Sequence, residues 1–287
     1  MLKQRLITAI VLLIVFVAAL LAPRAEFFGA LTLVFVAIGG WEWSRLNGIP
    51  GAGAYVLALL VALLCAALWF GGWIAYLNGW VWIGVAVVWV GGAPIVLRGG
   101  ASTWLAIPKT VRWVLGIFVL CMAWAAIWKA KLIGNNFLLS ALVLVWVADS
   151  GAYFSGKVFG KHKLAPSISP GKSWEGAIGG LLAVMLVATL WIYFDRWYLA
   201  TYPMTGAGSL YTMLLQNWSW WGLLVAVIFL TVMSVVGDLT ESLMKRSVGI
   251  KDSSQILPGH GGILDRTDAL LPVLPLSMAL VQFSALI

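Results

Sequence analysis

Apolar runs long enough to cross a membrane recur along this chain of 287 residues. A transmembrane helix needs about 20 mostly apolar residues to cross the roughly 30 Å hydrocarbon core of a bilayer. The chain is 62% hydrophobic and 10% charged, whereas soluble domains are about half apolar and about a quarter charged. Because no soluble fold could bury so much apolar surface, the pattern predicts an all-α, polytopic integral membrane protein.

The hydropathy pattern predicts about nine transmembrane helices. The second of them is short and contains Gly39 and Gly40, so we expect a tilted or partial crossing there. The predicted helices cover residues 6–22, 27–42, 55–71, 79–97, 112–129, 136–156, 174–194, 219–238 and 263–285.

Polar residues are concentrated in the second half of the chain. Residues 149–176, the first motif block, and residues 238–268, the second motif block, are dense in Asp, Lys, Ser, Gly and Pro. Before about residue 145 the chain consists mostly of apolar runs and short loops. We therefore expect N-terminal transmembrane helices in residues 1–111 and a C-terminal catalytic transmembrane domain in residues 112–287, with the motifs in cytoplasmic loops.

The N-terminal segment has some features of a secretory signal peptide. Lys3 and Arg5 precede an apolar run from Leu6 to Leu21, as in a signal sequence. The run is long for that purpose and further membrane segments follow it, so we expect an uncleaved first span.

Lysine and arginine are distributed unevenly between the loops, which predicts the orientation of the chain. If Lys3 and Arg5 are cytoplasmic, fourteen of the eighteen Lys and Arg residues fall on that side. Such a bias places the N-terminus in the cytoplasm and, with nine spans, the C-terminus outside.

Residue content argues against two other kinds of function. The net charge of +8 follows from the loop distribution, and no RNA-binding motif accompanies it, so we expect no nucleic-acid partner. Cys65 and Cys121 lie inside apolar runs without the spacing of a zinc or redox site. We expect both to be small packing residues.

The second motif block combines acidic, basic and glycine residues. If the eighth span continues as a helix beyond Asp238, then Asp238, Glu241, Ser242 and Lys245 lie on one face, at i, i+3, i+4 and i+7. The sequence Leu257-Pro258-Gly259-His260-Gly261-Gly262 then requires a tight turn. After the turn, Asp265 and Asp268 open the last apolar span, whose N-terminal N–H groups are expected to point toward a bound anion.

Carboxylates at the end of a membrane span are costly and call for partners. Ion pairs with Lys245, Arg246 or Arg266 are one interpretation. Several carboxylates around a loop rich in Gly and Lys favour a Mg²⁺ site instead, because Mg²⁺ takes oxygen ligands and substrate phosphates. Asp149 calls for a partner on the same ground. We predict Asp238 and Asp265 as primary metal ligands, with Asp268 and Glu241 as secondary candidates.

The first motif block contains a candidate phosphate site. Gly171-Lys172-Ser173 resembles the end of a P-loop, but Pro166 stands where that motif requires its first glycine, so we reject this interpretation. A Ser, a Lys and several amides opening a helix still suit a phosphate. Close packing of membrane helices is predicted by small-xxx-small spacing at two glycine pairs: Gly156 with Gly160, and Gly176 with Gly180.

The two histidines differ in setting. His162 lies between two lysines and is expected to be a solvated loop residue. For His260, in the glycine turn, three roles stay open: donation to a phosphate, proton transfer, or capping of the turn.

Together these motifs resemble the signature of the phosphatidate cytidylyltransferases, also called CDP-diacylglycerol synthases. The similarity extends to both motif blocks and to the length of the chain, and Gly171 departs from it, since relatives often carry a second lysine there. The matching residues are Ser242-x-x-Lys245-Arg246, Lys251-Asp252 and Pro258-Gly259-His260-Gly261-Gly262-x-Leu264-Asp265-Arg266-x-Asp268, with Asp149-Ser150 to Lys161 and Ser169-Pro170-x-Lys172-Ser173-x-Glu175-Gly176.

The resemblance implies that CTP and phosphatidic acid react to give CDP-diacylglycerol and pyrophosphate. It implies Mg²⁺ as cofactor, with a second cation left open, and the inner membrane of a bacterium with the active site facing the cytoplasm. A homodimer is also left open. Asp238, Asp265, Lys172 and Lys245 are the expected catalytic residues. The expected substrate-binding residues are Ser169, Ser173, Arg246, Lys251, His260, Gly261, Gly262 and Arg266, with amides of residues 259–262 assisting.

Two rival functions remain at this point: a CTP-dependent polyprenol or phytol kinase, and a transporter whose carboxylates line an ion path. If the cytidylyltransferase interpretation is right, the two motif blocks must meet in one polar cavity with a floor made by spans six, eight and nine. We then expect the Lys172 amine within roughly 12 Å of Asp238 or Asp265, because one phosphate group must reach both.

Overall fold

The computed structural model describes residues 2–49, 51–202 and 206–284. Within these ranges the chain is mostly helical, which confirms the all-α membrane class. Its helices are α1 (Leu2–Leu21), α2 (Ala25–Leu46), α3 (Ala52–Phe70), α4 (Gly79–Ala86), α5 (Ala93–Ala106), α6 (Lys109–Ile133), α7 (Asn135–Phe159), α8 (Trp174–Thr201), α9 (Leu210–Asn217), α10 (Trp220–Ser247), α11 (Leu264–Thr267) and α12 (Leu270–Ser284).

Seven helices of the described chain are long and apolar enough to cross a membrane: α2, α3, α4 continued into α5, α6, α7, α8 and α10. A π-helical stretch, Val87–Gly92, joins α4 to α5. The apolar part of α1, Leu6–Leu21, is shorter, and the predicted last span is divided into α11 and the 15-residue α12. The predicted count of nine is therefore not confirmed.

The expected partial crossing at the second span is corrected by the structure. Helix α2 has 22 residues and is long enough to cross. Its two glycines serve packing, because a Cβ added at Gly39 would lie 3.3 Å from Leu264 and one at Gly40 would lie 3.3 Å from Ala58. Helix α2 is thereby held close to both α3 and α11.

Helices α7 and α8 pack closely through small residues, as the sequence predicts. A Cβ added at Gly176 would lie 2.8 Å from the carbonyl oxygen of Ala152, and one at Gly180 would lie 2.5 Å from that of Ala148. Any side chain at these positions would force the helices apart. The close approach brings the start of α8 beside the C-terminal half of α7.

A short antiparallel hairpin, absent from the all-α prediction, joins α7 to α8. Its strands are β1 (Lys163–Ala165) and β2 (Ser169–Ser173). Ser173 ends β2 and caps α8, its hydroxyl accepting a hydrogen bond from the Gly176 N–H at 3.2 Å. Lys172 is therefore held on a strand, one residue before the N-cap of α8.

Candidate active site

A cavity of about 520 Å³ lies where the two motif blocks meet. Its charged lining consists of Asp149 and Lys157 from α7, Lys172 from β2, Asp238 from α10, and Asp265, Arg266 and Asp268 at α11. The predicted convergence of the motif blocks is confirmed. The three predicted spans all contribute to the lining, the ninth through Asp265, Arg266 and Asp268, and α8 adds Gly176, Ala177 and Gly180.

Lys172 and Asp238 join the two motif blocks directly. The Lys172 Nζ lies 2.7 Å from Asp238 Oδ2, and both side chains are about a quarter exposed. This distance confirms the predicted limit of roughly 12 Å. Because both groups face open space in the cavity, each can leave the other to contact a bound molecule.

Three carboxylates share one region of the cavity. Asp149, Asp238 and Asp268 are near enough to act on one another electrostatically, and Lys172 acts on Asp149 and Asp268. Gly237 allows this approach, because a Cβ there would lie 2.6 Å from the Asp268 carbonyl oxygen. In the part of the chain that the structure describes, no three His, Cys, Asp or Glu side chains form a ready-made metal cage.

Asp265 is occupied by donors from the protein itself. Its Oδ1 accepts from Lys245 Nζ at 2.6 Å, and its Oδ2 accepts from the Ser253 N–H and hydroxyl, both at 2.9 Å, and from the Gly262 N–H at 2.7 Å. Burial opposes ionisation here, but the hydrogen bond from Lys245, the Gly262 amide and the Lys245 charge together keep the pKa of Asp265 below its usual value. Asp265 thus lies in a network that leaves it little capacity as a metal ligand.

Glu241 belongs to the same network. It is almost fully buried on α10 and forms an ion pair with Lys245, which therefore bridges Glu241 and Asp265. The predicted face of Asp238, Ser242 and Lys245 on one helix is present, and the Ser242 hydroxyl lies 3.3 Å from Asp238 Oδ1. The geometry thus groups Asp238 and Asp268 as candidate metal ligands, separate from Asp265 and Glu241.

Two of the four amides expected to assist phosphate binding, those of residues 260 and 262, already have acceptors in the protein. The Gly262 N–H donates to Asp265, and the His260 N–H donates to the Leu257 carbonyl at 2.8 Å. The next two N–H groups, of Ile263 and Leu264, donate to the carboxylate of Glu42. The anion expected at this helix start is therefore supplied by the protein.

The remaining candidates fall into two groups. Ser169, Ser173 and Arg266 line the cavity. Arg246 instead reaches the hairpin, its Nε lying 3.3 Å from the Ile168 carbonyl oxygen. Lys251 lies outside the lining of this cavity, on a neighbouring polar cavity of about 840 Å³ that also contains Gln4 and Arg266.

The histidines and Gly261 have local roles in the structure. The His260 carbonyl accepts hydrogen bonds from Arg266 Nε at 2.9 Å and Arg266 Nη2 at 2.6 Å. His260 therefore holds the Arg266 guanidinium beside the cavity. Gly261 adopts a left-handed φ of +84°, which disfavours a side chain there. His162 is exposed, as expected, but its Nδ1 also lies 2.5 Å from Glu175 Oε1.

Comparison with known proteins assigns the family. The model of the cytidylyltransferase family matches residues 3–284. The chain belongs to this family. The phosphatidate cytidylyltransferase of Pseudomonas aeruginosa is 39% identical to it, with 98% of this chain and 97% of that protein covered. The phosphatidate cytidylyltransferase of Haemophilus influenzae is 35% identical, with 96% of each covered.

Two residues of this cytidylyltransferase-family chain were not among the predicted site residues. Asp149 lines the cavity, and its position as a charge within a membrane helix was the available signal. Glu42 reaches the second motif block from α2 across more than 200 residues of sequence. It carries the same signal, a carboxylate at the end of an apolar span, but the spacing gives no hint of its partner.

Proposed function

We propose that this chain transfers the cytidylyl group of CTP to phosphatidic acid, giving CDP-diacylglycerol and pyrophosphate, in the cavity between the two motif blocks. The observation that carries this proposal is the contact of Lys172 with Asp238 at 2.7 Å. It brings a lysine of the first motif block, on β2, against a carboxylate of the second motif block, beside two further carboxylates. Location in a bacterial inner membrane, with the cavity facing the cytoplasm and its CTP, is part of the proposal.

The reaction is a displacement at phosphorus. A phosphate oxygen of phosphatidate forms a bond to the α-phosphorus of CTP, and the bond from that phosphorus to the bridging oxygen of the β-phosphate breaks. The electron pair leaves with pyrophosphate. Because phosphatidate is already anionic, no strong general base is needed, and the work of the protein is to align two anions and to stabilise charge.

Mg²⁺, when bound, would neutralise charge on the phosphates and fix their geometry. The donor set fits this ion: Asp238 and Asp268 present carboxylate oxygens to the cavity, and Mg²⁺ is usually held by one or two carboxylates with substrate phosphates and water completing its shell. Asp149 is placed to assist, whereas Asp265 is committed to Lys245.

The basic residues of the cavity have distinct tasks in this proposal. Lys172 donates to a phosphate once the substrate competes for its contact with Asp238. Arg266 is held by the His260 carbonyl of the glycine turn and donates to a phosphate from that side of the cavity. Lys245 stays buried between Glu241 and Asp265 and shapes the site without reaching the substrate. Ser169 and Ser173 line the cavity on the side of the hairpin, and the Ser173 hydroxyl also caps α8.

The test uses the purified chain in detergent micelles with radiolabelled CTP and phosphatidate. Formation of labelled CDP-diacylglycerol and release of pyrophosphate are expected, both dependent on added Mg²⁺. Lys172→Gln should lower turnover strongly. Lys163→Gln, on the same hairpin but outside the cavity lining, should retain it. Transfer of the γ-phosphoryl group to a polyprenol, or no use of CTP, would contradict the proposal.

A further inference from the structure

Glu42 is the most deeply buried carboxylate that the reaction does not account for. It lies near the end of α2 with none of its surface exposed. Its Oε1 accepts from the Ser254 hydroxyl at 2.5 Å and from the Ile263 N–H at 3.0 Å, and its Oε2 accepts from the Leu264 N–H at 2.7 Å. A buried charge is tolerated only when it is hydrogen bonded in this way.

All three donors belong to the second motif block. Leu264 begins α11, the short helix that carries Asp265 and is followed by Asp268, and Ile263 is the N-cap residue before it. Ser254 lies in the loop before the glycine turn, next to Ser253, which donates to Asp265. Glu42 and Asp265 therefore divide between them the N–H groups of residues 262–264, and each also holds one of two adjacent serines.

The helix start depends on such an acceptor. The first N–H groups of a helix have no partner within it, and α11 is only four residues long. A buried N–H group left without an acceptor is destabilising. The packing leaves no room for another acceptor in place of the Glu42 carboxylate, because even a Cβ added at Gly262 would overlap Glu42 and Ser253.

We propose that Glu42 is a positioning residue for the active site: by binding the start of α11 and the loop before it, its carboxylate sets where Asp268 and Arg266 face the cavity. The kinetic part of this inference rests on the proposed function, whereas the effect on the loop does not. Glu42 touches neither substrate nor metal in this account and acts through the backbone of α11.

Glu42→Gln separates this role from general packing. The amide keeps the shape of the side chain but has one acceptor oxygen instead of two, so its NH₂ group must face an N–H or the hydroxyl. Ser44→Ala is the matched control, because Ser44 is also fully buried on α2 but its hydroxyl bonds to the Trp41 and Ala54 carbonyls, away from the loop.

The first readout is hydrogen exchange followed by mass spectrometry on the metal-free chain. In Glu42→Gln, a peptide covering residues 256–270 should exchange about tenfold faster, as expected from losing one charge-assisted hydrogen bond. Peptides from α7 and α8 should keep their parental rates. In Ser44→Ala, the 256–270 peptide should exchange at the parental rate.

The second readout is activity per folded molecule. Glu42→Gln should lower kcat about tenfold or more and raise the Mg²⁺ concentration for half-maximal rate, as changes to groups that orient metal ligands do. The KM for phosphatidate should stay close to the parental value. A loss that merely reflected fewer folded molecules would change none of these constants.

Parental exchange and parental Mg²⁺ dependence in Glu42→Gln would overturn the inference. If that variant does not fold, Ser254→Ala takes its place, since it removes one of the three donors, and it should show a smaller change in the same direction. Unchanged exchange in Ser254→Ala would then count against the role. An inactive parent protein would refute the proposed function and leave the exchange experiment to decide on Glu42.

Discussion

Lys245 is the residue whose replacement should destabilise the active site most. Its amine bridges Glu241 and Asp265, and the three side chains are only 12%, 1% and 8% exposed. In Lys245→Met the chain keeps a similar volume but leaves two buried carboxylates without their cation. Each is then surrounded by a medium that stabilises charge far less than water does.

The expected loss can be worked from the geometry. At an effective dielectric constant of about 20, a pair of charges 4 Å apart attracts by roughly 4 kcal/mol, and Lys245 makes two closer pairs. Desolvation of the ammonium offsets part of this attraction. Because removing one partner of a buried pair typically costs about 3–5 kcal/mol, we expect Lys245→Met to lower the free energy of unfolding by about 4 kcal/mol.

Unfolding by a denaturing detergent in mixed micelles measures this quantity. Lys163→Met is the matched control, because the same change at an exposed lysine should stay within about 0.5 kcal/mol of the parent. The double variant Lys245→Met with Glu241→Gln should recover part of the loss, since one of the two unpaired charges is gone. A Lys245→Met protein as stable as the control would refute the reasoning.

Three further predictions follow from the site. Asp238→Asn should lower turnover by at least about 100-fold with unchanged stability. Asp265→Asn should lower both turnover and stability. Parental turnover of either variant at saturating Mg²⁺ would contradict the role of that residue. Gly237→Ala should cost about 1–3 kcal/mol and reduce activity, because the added methyl meets the Asp268 carbonyl and the Pro272 ring, whereas Gly91→Ala, which meets nothing, should be neutral in the same assays. In intact cells, an impermeant thiol reagent should label Ala207→Cys but not the exposed Gln255→Cys, with little background from the buried Cys65 and Cys121; the reverse pattern would invert the proposed topology.

Much of the site could be predicted because the chemistry of the residues constrains it. Lys172 and Asp238 were expected near one another because one phosphate must reach both, and they are in direct contact. The helix face of Asp238, Ser242 and Lys245 followed from helical spacing alone. These predictions required no knowledge of how distant helices pack.

The partners of the buried carboxylates could not be predicted in the same way. Glu241 and Lys245 are four residues apart, but whether Lys245 also binds Asp265 depends on how the loop returns to α10. Six carboxylates of the two motif blocks lie at or near the ends of apolar spans, and sequence cannot tell which contact cations and which face a cavity; they are Asp149, Glu175, Asp238, Glu241, Asp265 and Asp268. The hairpin was missed for a related reason: Ser169–Ser173 lacks alternating apolar residues, so its strand is set by pairing with β1.

The expected boundary at residue 111 divides the chain into two parts of different composition, but each part depends on the other for its stability. Helix α11 begins next to apolar helices, where water is scarce and its first N–H groups need acceptors from the protein. A helix of four residues cannot supply them, and the nearest available acceptor is on α2, in the N-terminal part. The charge of Glu42 is in turn stabilised by three donors from the C-terminal part. Each part thus satisfies a buried polar group of the other, so the N-terminal helices are a structural requirement of the cavity and not only a membrane anchor.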